Sequence, residues 1–256
     1  MVYDYEKEIA PRFVRTKHLP IEPNAQRDDL IATKEEAISL FPDMEGLYSG
    51  QREIGHLITV EEKVDGANCG ITYDRITGQP IIRNRSHILA KGYGRKETPA
   101  KKQFTPIWNW WYENEEKLKR LAFLLGFVPT VYGEWLYARH TVSYDSLPDY
   151  FVAFDIYRPD DSTFVAPTIY RPVLEEVGIA VVPLISYSKI GIHPGEFIDM
   201  RDGQSAFSTT ERKEGIYIKV SDHQKILHRF KMVRPDFKSD DNWNDKELTR
   251  NKLRKG

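Results

Sequence analysis

Cysteine is nearly absent from this sequence: Cys69 stands alone among 256 residues. An intrachain disulfide is thereby excluded, and so is a zinc site built from several thiolates. A cytoplasmic, intracellular location is the expectation that follows. No apolar run approaches the roughly 18–20 residues of a membrane span, so no membrane role is expected. The opening MVYDYEKEIAPRFVR is too charged for a secretory signal. A dominant sign of charge is missing too: 37 Lys and Arg face 38 Asp and Glu, a formal net charge of −1. That excludes coating of nucleic acid by bulk charge and leaves room for a local basic groove. Repeats and low-complexity tracts are also lacking. What is present, 40% hydrophobic and 29% charged residues, is the composition of an ordinary soluble globular chain.

Periodicity organises the rest. Residues 1–30 read as irregular, broken by Pro11, Pro20, Pro23 and Asn24. Residues 33–41, TKEEAISLF, predict a short helix with Thr33 as N-cap and Glu36 three positions later. Strands are expected over 56–62 and 67–74, then a turn at DRITGQP and a returning strand IIRNRS. Trp108, Trp111, Leu118, Leu121 and Leu125 form one stripe over 105–125, the pattern of a core-facing helix. TVYGEW and YFVAFDIY read as buried strands, and APTIYRPVLEEVGI as a helix closed by Gly178. EGIYIKV alternates with period two, and ILHRFKMV is its expected neighbour. From Asp240 onward the chain is a polar, basic tail, helical or disordered. Many strands, few helices and no βαβ rhythm imply an α+β fold of mostly antiparallel sheets. No linker divides residues 1–256, so one domain is expected.

One stretch is chemically odd. VEEKVDGANCG, residues 60–70, is a strand with Lys63 in its middle and Asp65-Gly66 after it. A lysine is a covalent nucleophile only when its amine is neutral, which nearby cations or burial promote. The plain alternative is a surface strand turning at DGAN. Glu134 in YGEW is a carboxylate inside an apolar strand, rare unless it is paired or hydrogen-bonded; a sugar hydroxyl pair is one such partner. The aromatics of YFVAFDIY are core by default, and one facing a cleft stacks on a base. Glu214 and Lys219 sit at the ends of EGIYIKV. Arg229 and Lys231 of HRFKMVR share a face, since strand side chains alternate. Two fixed cations there suit a polyphosphate, or form a solvated basic strand. His18 and His140 receive no role, Cys69 reads as a small core residue, and the Trp-rich helix as core.

Taken in order, EKVDG, RNRS, YGEW, FVAFDI, EGIYIK and RFK resemble the nucleotidyltransferase motifs of ATP-dependent RNA ligases, the branch typified by the second T4 phage ligase. The resemblance spans about residues 13–237. It implies a covalent nucleotidyltransferase fold with an ATP cleft between sheets and flanking helices. It implies that Lys63 attacks the α-phosphate of ATP to form lysyl-AMP. Asn68 helps place a hydrated metal, and Arg85 contacts phosphate, with Arg83 as its competitor. Glu134 accepts from the ribose hydroxyls, and Phe154 stacks on adenine. Glu214 binds metal and organises the lysine, while Lys219 and Lys231 stabilise charge on the phosphates. ATP and Mg²⁺ or Mn²⁺ are the implied cofactors. Lys219, Lys231 and the metal are expected to lower the pKa of Lys63. One departure stands out: the last motif usually reads K-x-K and here reads R-F-K, so Arg229 replaces a compact ammonium that it does not mimic.

The activity implied is adenylation of an RNA 5′-phosphate end and its joining to a 3′-hydroxyl, on a nicked duplex or an RNA/DNA hybrid. Residues 238–256 are too few for an appended oligonucleotide-binding barrel or helical C-terminal domain. Strand engagement is then expected from the core, the first 60 residues, the basic tail over 240–256, or a protein partner. The alternatives are a DNA ligase or guanylyltransferase of the same superfamily, and a non-catalytic nucleotide- or RNA-end-binding repair subunit.

Overall fold

Hydrophobic alternation sets which strands pair and which faces they bury. The computed structural model describes residues 8–20, 30–37, 40, 53–91, 99–238 and 248–255. In chain order the elements are β1 (Lys17–His18), α1 (Lys34–Ala37), β2 (Glu53–Lys63), β3 (Ala67–Tyr73), β4 (Pro80–Asn84), α2 (Pro99–Lys102), α3 (Ile107–Leu125), β5 (Thr130–Trp135), β6 (Phe151–Arg158), β7 (Thr163–Phe164), α4 (Pro167–Glu176), β8 (Leu184–Ile190), α5 (Pro194–Asp202), β9 (Gly215–Ser221) and β10 (Ile226–Val233). They form two five-stranded sheets, ordered β1-β10-β9-β2-β8 and β4-β3-β5-β6-β7. Every neighbouring pair is antiparallel except β1 with β10. This is the α+β, mostly antiparallel class that the sequence predicts.

Each sheet has its own apolar packing. In the first, Ile58 and Val60 of β2, Ile216, Ile218 and Val220 of β9, and Phe230 and Met232 of β10 share a cluster with Leu19, Leu40 and Phe197. In the second, Ile71, Ile82, Val131 and Trp135 pack against Trp108, Trp110, Trp111, Leu118 and Leu121 of α3 and Tyr170 and Leu174 of α4. The tryptophan stripe is therefore core, as its spacing implies. A third cluster joins Val64, just past β2, to Tyr132, Val152 and Phe154 of the second sheet and to Tyr144. Because strand side chains alternate, the first sheet's opposite face carries Thr59, Glu61 and Lys63, Tyr217 and Lys219, and Arg229 and Lys231. That polar face is turned toward the second sheet.

Local signals explain the ends. Thr33 Oγ1 accepts from Glu36 N at 3.2 Å while Glu36 Oε2 accepts from Thr33 N at 2.9 Å, the reciprocal box that starts α1. The rest of the expected 33–41 helix lies partly outside the described residues. α3 stops at Gly126, whose φ of 77° is left-handed. The region 180–213, for which the sequence analysis names no element, holds β8 and α5. α5 begins with a capping box made by His193 and Glu196, with proline in its first turn.

The tail differs from its expectation. Residues 239–247 and 256 lie outside the described residues. Residues 248–255 are neither helical nor detached: Arg250 bridges to Ala138 and Leu253 to Leu147. Asn251, 2% exposed, anchors this segment to the core. Among the described residues, no helix is long and apolar enough to cross a membrane.

Candidate active site

Lys63 ends β2 opposite Gly215, the first residue of β9. That register brings Glu214 alongside: Lys63 Nζ donates to Glu214 Oε2 at 2.6 Å. The same ammonium lies 5.6 Å from the centroid of the Tyr217 ring. Gly215 is required by close approach, because a Cβ there would sit 2.0 Å from Met232 O. In the second sheet, Asn68 of β3 stands opposite Glu134 of β5. Between the sheets lies a cleft of about 510 Å³ lined by Lys63, Asn68, Arg85, Glu134, Glu214 and Lys231. Tyr217, Asn84 and the segment 13–16 complete much of the wall.

Asp65 follows the lysine by two residues and turns the chain from one sheet to the other. Its Oδ2 accepts from the N–H groups of Thr141 at 2.7 Å and Val142 at 2.8 Å. Its own N–H donates to the Tyr144 hydroxyl at 2.7 Å. At Gly66 a Cβ would meet Trp135 O at 2.8 Å, so the turn packs directly on the end of β5. His140 Nδ1 is 4.0 Å from Asp65 Oδ1 and its Nε2 is 3.1 Å from Gln103 Oε1.

Three nominated side chains do not line the cleft. Lys219 is 1% exposed and bonds Glu61 and the Phe154 carbonyl, the Tyr170 hydroxyl at 2.9 Å and Asp155 at 3.2 Å. It shares a face with Tyr217 but lies two residues further along β9, roughly 6–7 Å deeper. Arg229 pairs with Asp155 at 2.9 Å, and its guanidinium covers the Phe164 ring at 3.8 Å. The planar, stacking cation explains an arginine at this position. Glu61 also accepts from Arg171 at 2.5 Å. These groups form a buried ionic layer joining both sheets and α4. Phe154 is 2% exposed, its ring edge-on to Phe13 at 5.2 Å and tilted against Tyr217 at 6.0 Å. For it to stack on a base, Phe13 must give way. Arg83, the competitor of Arg85, is buried and donates to Ala10 O at 2.5 Å and Asn84 O at 3.1 Å, away from the cleft.

The expected lowering of the Lys63 pKa rests on Lys219, Lys231 and a bound metal; in the protein alone the balance runs the other way. Burial does push it down, but Glu214, Tyr217 and Glu134 outweigh burial and hold the ammonium above the usual lysine range. Lys219 is paired with Glu61 and Asp155 instead. Glu134 is pushed up to about 8, by burial first and by Glu214 and Asp65 next, against Lys63 and Arg85. Burial drives the Cys69 thiol well above its ordinary range, so it is no nucleophile.

Sequence reasoning missed Tyr217 and the segment 13–16. Tyr217 was legible, since period two puts it on the face of Lys219. Phe13, Val14, Arg15 and Thr16 carried no periodic signal; they reach the cleft because the neighbouring β1 pairs with β10.

The sequence model of the RNA ligase family matches residues 57–233, more than half the chain. No curated relative matches. Among solved structures, a Lys→Ala mutant of a Naegleria gruberi RNA ligase with ATP and Mn aligns with TM-score 0.54 and 18% identity, covering 74% of this chain and 52% of that one. The same organism's RNA ligase with PPi aligns with TM-score 0.52 and 19% identity, covering 84% and 60%. A Glu→Ala mutant with AMP and Mn aligns with TM-score 0.50 and 18% identity, covering 74% and 53%. At these identities the likeness is one of fold. The chain spans about half the length of the first of these proteins.

Proposed function

The chain belongs to the RNA ligase family, and from that premise we propose that it is an ATP-dependent RNA ligase that works through a covalent lysyl-AMP on Lys63. The observation that carries this reading is the meeting of Lys63 and Glu214 at 2.6 Å in a cleft whose walls also hold Asn68, Arg85, Glu134 and Lys231. Of the segments that resemble the family's motifs, those of β2, β5, β9, β10 and the turn after β4 each contribute to this cleft, together with Asn68 of β3, whereas FVAFDI of β6 lies behind it.

Three displacements make up the reaction. Lys63 Nζ forms a bond to the α-phosphorus of ATP as the bond to the pyrophosphate oxygen breaks. An RNA 5′-phosphate oxygen then attacks the AMP phosphorus, and the N–P bond breaks. A 3′-hydroxyl attacks the activated phosphate, and AMP leaves. Lys63 must shed its proton before the first step. Glu214, 2.6 Å away, holds that proton on the lysine, and release of Glu214 from the pair lets it pass to solvent. Catalysis of such transfers is mainly placement and charge, supplied here by Arg85 and Lys231. Glu134, uncharged at neutral pH when buried, is suited to hydrogen bonding with ribose hydroxyls. Phe13, Tyr217 and, behind them, Phe154 form the aromatic wall for the base.

A divalent cation fits this donor set in one way only. Among the described residues no group of three or more His, Cys, Asp or Glu forms a cage. Glu214, with Asn68 through water, would hold a hard, oxygen-seeking ion whose other ligands are phosphates and waters, as suits Mg²⁺ or Mn²⁺. Such an ion would neutralise phosphate charge and draw Glu214 away from Lys63, lowering the lysine's pKa.

The RNA substrate carries a 5′-phosphate end and a 3′-hydroxyl end, on a nicked duplex or hybrid. The test is incubation with labelled ATP or GTP and Mg²⁺ or Mn²⁺, then a sealing assay on nicks with RNA or DNA on either side. Label from ATP and sealing with RNA at the nick support the reading. Label from GTP alone points to a guanylyltransferase, sealing confined to all-DNA nicks to a DNA ligase, and no adduct at all to an end-binding protein.

A further inference from the structure

Asn251 lies 188 positions along the chain from Lys63, yet all its polar side-chain atoms are hydrogen-bonded. Its Nδ2 donates to Leu136 O at 2.9 Å and Ala138 O at 3.2 Å, and its Oδ1 accepts from Tyr144 N at 3.0 Å. Its own N–H donates to Tyr137 O at 3.1 Å, and its carbonyl accepts from the Tyr150 hydroxyl at 3.4 Å. Around it the segment 248–255 is laced to the same loop. Arg139 N donates to Thr249 O at 2.8 Å, Lys252 N to Tyr144 O at 2.9 Å, Leu147 N to Lys252 O at 3.0 Å and Arg254 N to Leu147 O at 2.9 Å.

The loop so held, residues 136–147, is the one that grips Asp65. Thr141 N, Val142 N and the Tyr144 hydroxyl make the three bonds that fix Asp65. Asp65 sets the direction in which the chain leaves Lys63. A contiguous path of hydrogen bonds thus runs from Asn251 through Tyr144 to the turn after the lysine. Among the described residues, the loop's β-bridges over 138–147 are both to this segment; its far end is also held by Asp145 N and Ser146 N, which donate to Phe207 O at 3.2 and 3.1 Å. Irregular segments open locally more readily than strands do, so the bonds from 248–255 add to what holds this loop, and nucleotidyl transfer tolerates little misplacement: 1 Å costs up to about 10²-fold.

We infer that Asn251 is a positioning residue for Lys63: the docked segment 248–255 locks the 136–147 loop, the loop locks Asp65, and Asp65 aims the lysine at the nucleotide. The inference rests on the nucleotidyl-transfer reading of Lys63. It assigns a function to a stretch that composition alone marks as a basic tail. The side chain needs both a donor and an acceptor, so Asp is no replacement: its second oxygen would face the Leu136 and Ala138 carbonyls in a buried site.

The test uses the full chain with Asn251→Ala, Asn251→Asp and Tyr144→Phe, the last removing only the hydroxyl that receives Asp65 N–H. Single-turnover labelling from ATP is measured across ATP concentrations at a temperature well below unfolding, and amide exchange is followed at Thr141 and Val142. Expected are a roughly tenfold or larger fall in labelling rate for Asn251→Ala, no rescue by Asn251→Asp, half-saturating ATP within about twofold of wild type, and faster exchange at both amides. Wild-type labelling rate in folded Asn251→Ala overturns the inference, whatever its melting temperature. If Asn251→Ala does not fold, wild-type labelling by Tyr144→Phe overturns it instead. Exchange separates the two failures. A wild-type chain that takes no label while Asn251→Ala speeds exchange at Thr141 and Val142 refutes the ligase reading and leaves the lock in place. Unchanged exchange refutes the lock.

Discussion

At the scale of single residues, the protein alone holds Lys63, the nucleophile proposed above, in its protonated form. Glu214 and Glu134 keep the Lys63 ammonium protonated although burial opposes it. On the proposed reading, the carboxylate that holds this charge is also the one suited to a metal, so arrival of a metal–nucleotide would activate the lysine. In metal-free protein, the reactivity of Lys63 toward an amine-directed reagent is expected to rise only above the pH of an ordinary lysine, and Glu214→Gln is expected to move that rise to lower pH. Peptide mapping of the modified lysine over a pH series checks it, and an unmoved profile contradicts it. Glu134 gives a second test. Burial lifts its folded pKa to about 8, above the unfolded value near 4.3. The unfolded chain therefore releases the proton first, and this group's effect is a loss of stability as pH rises from about 4.3 to 8, constant beyond. Thermal unfolding of Glu134→Gln against wild type should show the mutant gaining relative stability over that window and no difference near pH 4. Most of these residues were legible because each motif pairs a functional group with a backbone requirement: Gly215 after Glu214 and Gly66 after Asp65 are close approaches that exclude a Cβ. Phe13 and Arg15 were not legible, since nothing local predicts that an irregular segment lies along a cleft.

At the scale of elements, β9 and β10 carry two kinds of cation that look alike in sequence. Lys219 and Lys231 both alternate with apolar residues, and only the depth along the sheet tells them apart. Lys219 sits in the buried layer with Glu61 and Asp155, whereas Lys231 lines the cleft. Removing one partner from a buried ionic group leaves the others uncompensated, at a cost of about 3–5 kcal/mol. Lys219→Ala is expected to lose stability on that scale in denaturant unfolding. Lys231→Ala is expected to unfold within about 1 kcal/mol of wild type, as substitutions away from buried networks do, and to lose ATP labelling. The reverse pattern would show that the assignment by depth is wrong. Sequence periodicity gave the faces correctly and could not give depth, which is set by how far each strand runs past the sheet's edge. β8 was overlooked although LISYSKI carries an alternating signal, and α5 although His193, Pro194 and Glu196 mark its start.

At the scale of the whole molecule, the two sheets divide the labour. Their outward faces bury tryptophans and aliphatics against helices, and their facing surfaces carry the ionic layer at depth and the cleft at the edge. The class of fold was readable from strand count and the lack of βαβ rhythm; the gap between the sheets was not, because no local pattern encodes the pairing of β2 with β9 or of β3 with β5. Both pairings join residues far apart in the chain, and they bring Lys63 to Glu214 and Asn68 to Glu134. The central claim is that this convergence makes Lys63 a nucleophile toward ATP. Its most direct test is mass mapping of the purified chain after incubation with ATP and Mg²⁺ or Mn²⁺. The account predicts one AMP on the peptide that contains Lys63, pyrophosphate released in equal amount, and neither product from Lys63→Ala. AMP on any other residue, or a labelled Lys63→Ala protein, would contradict it.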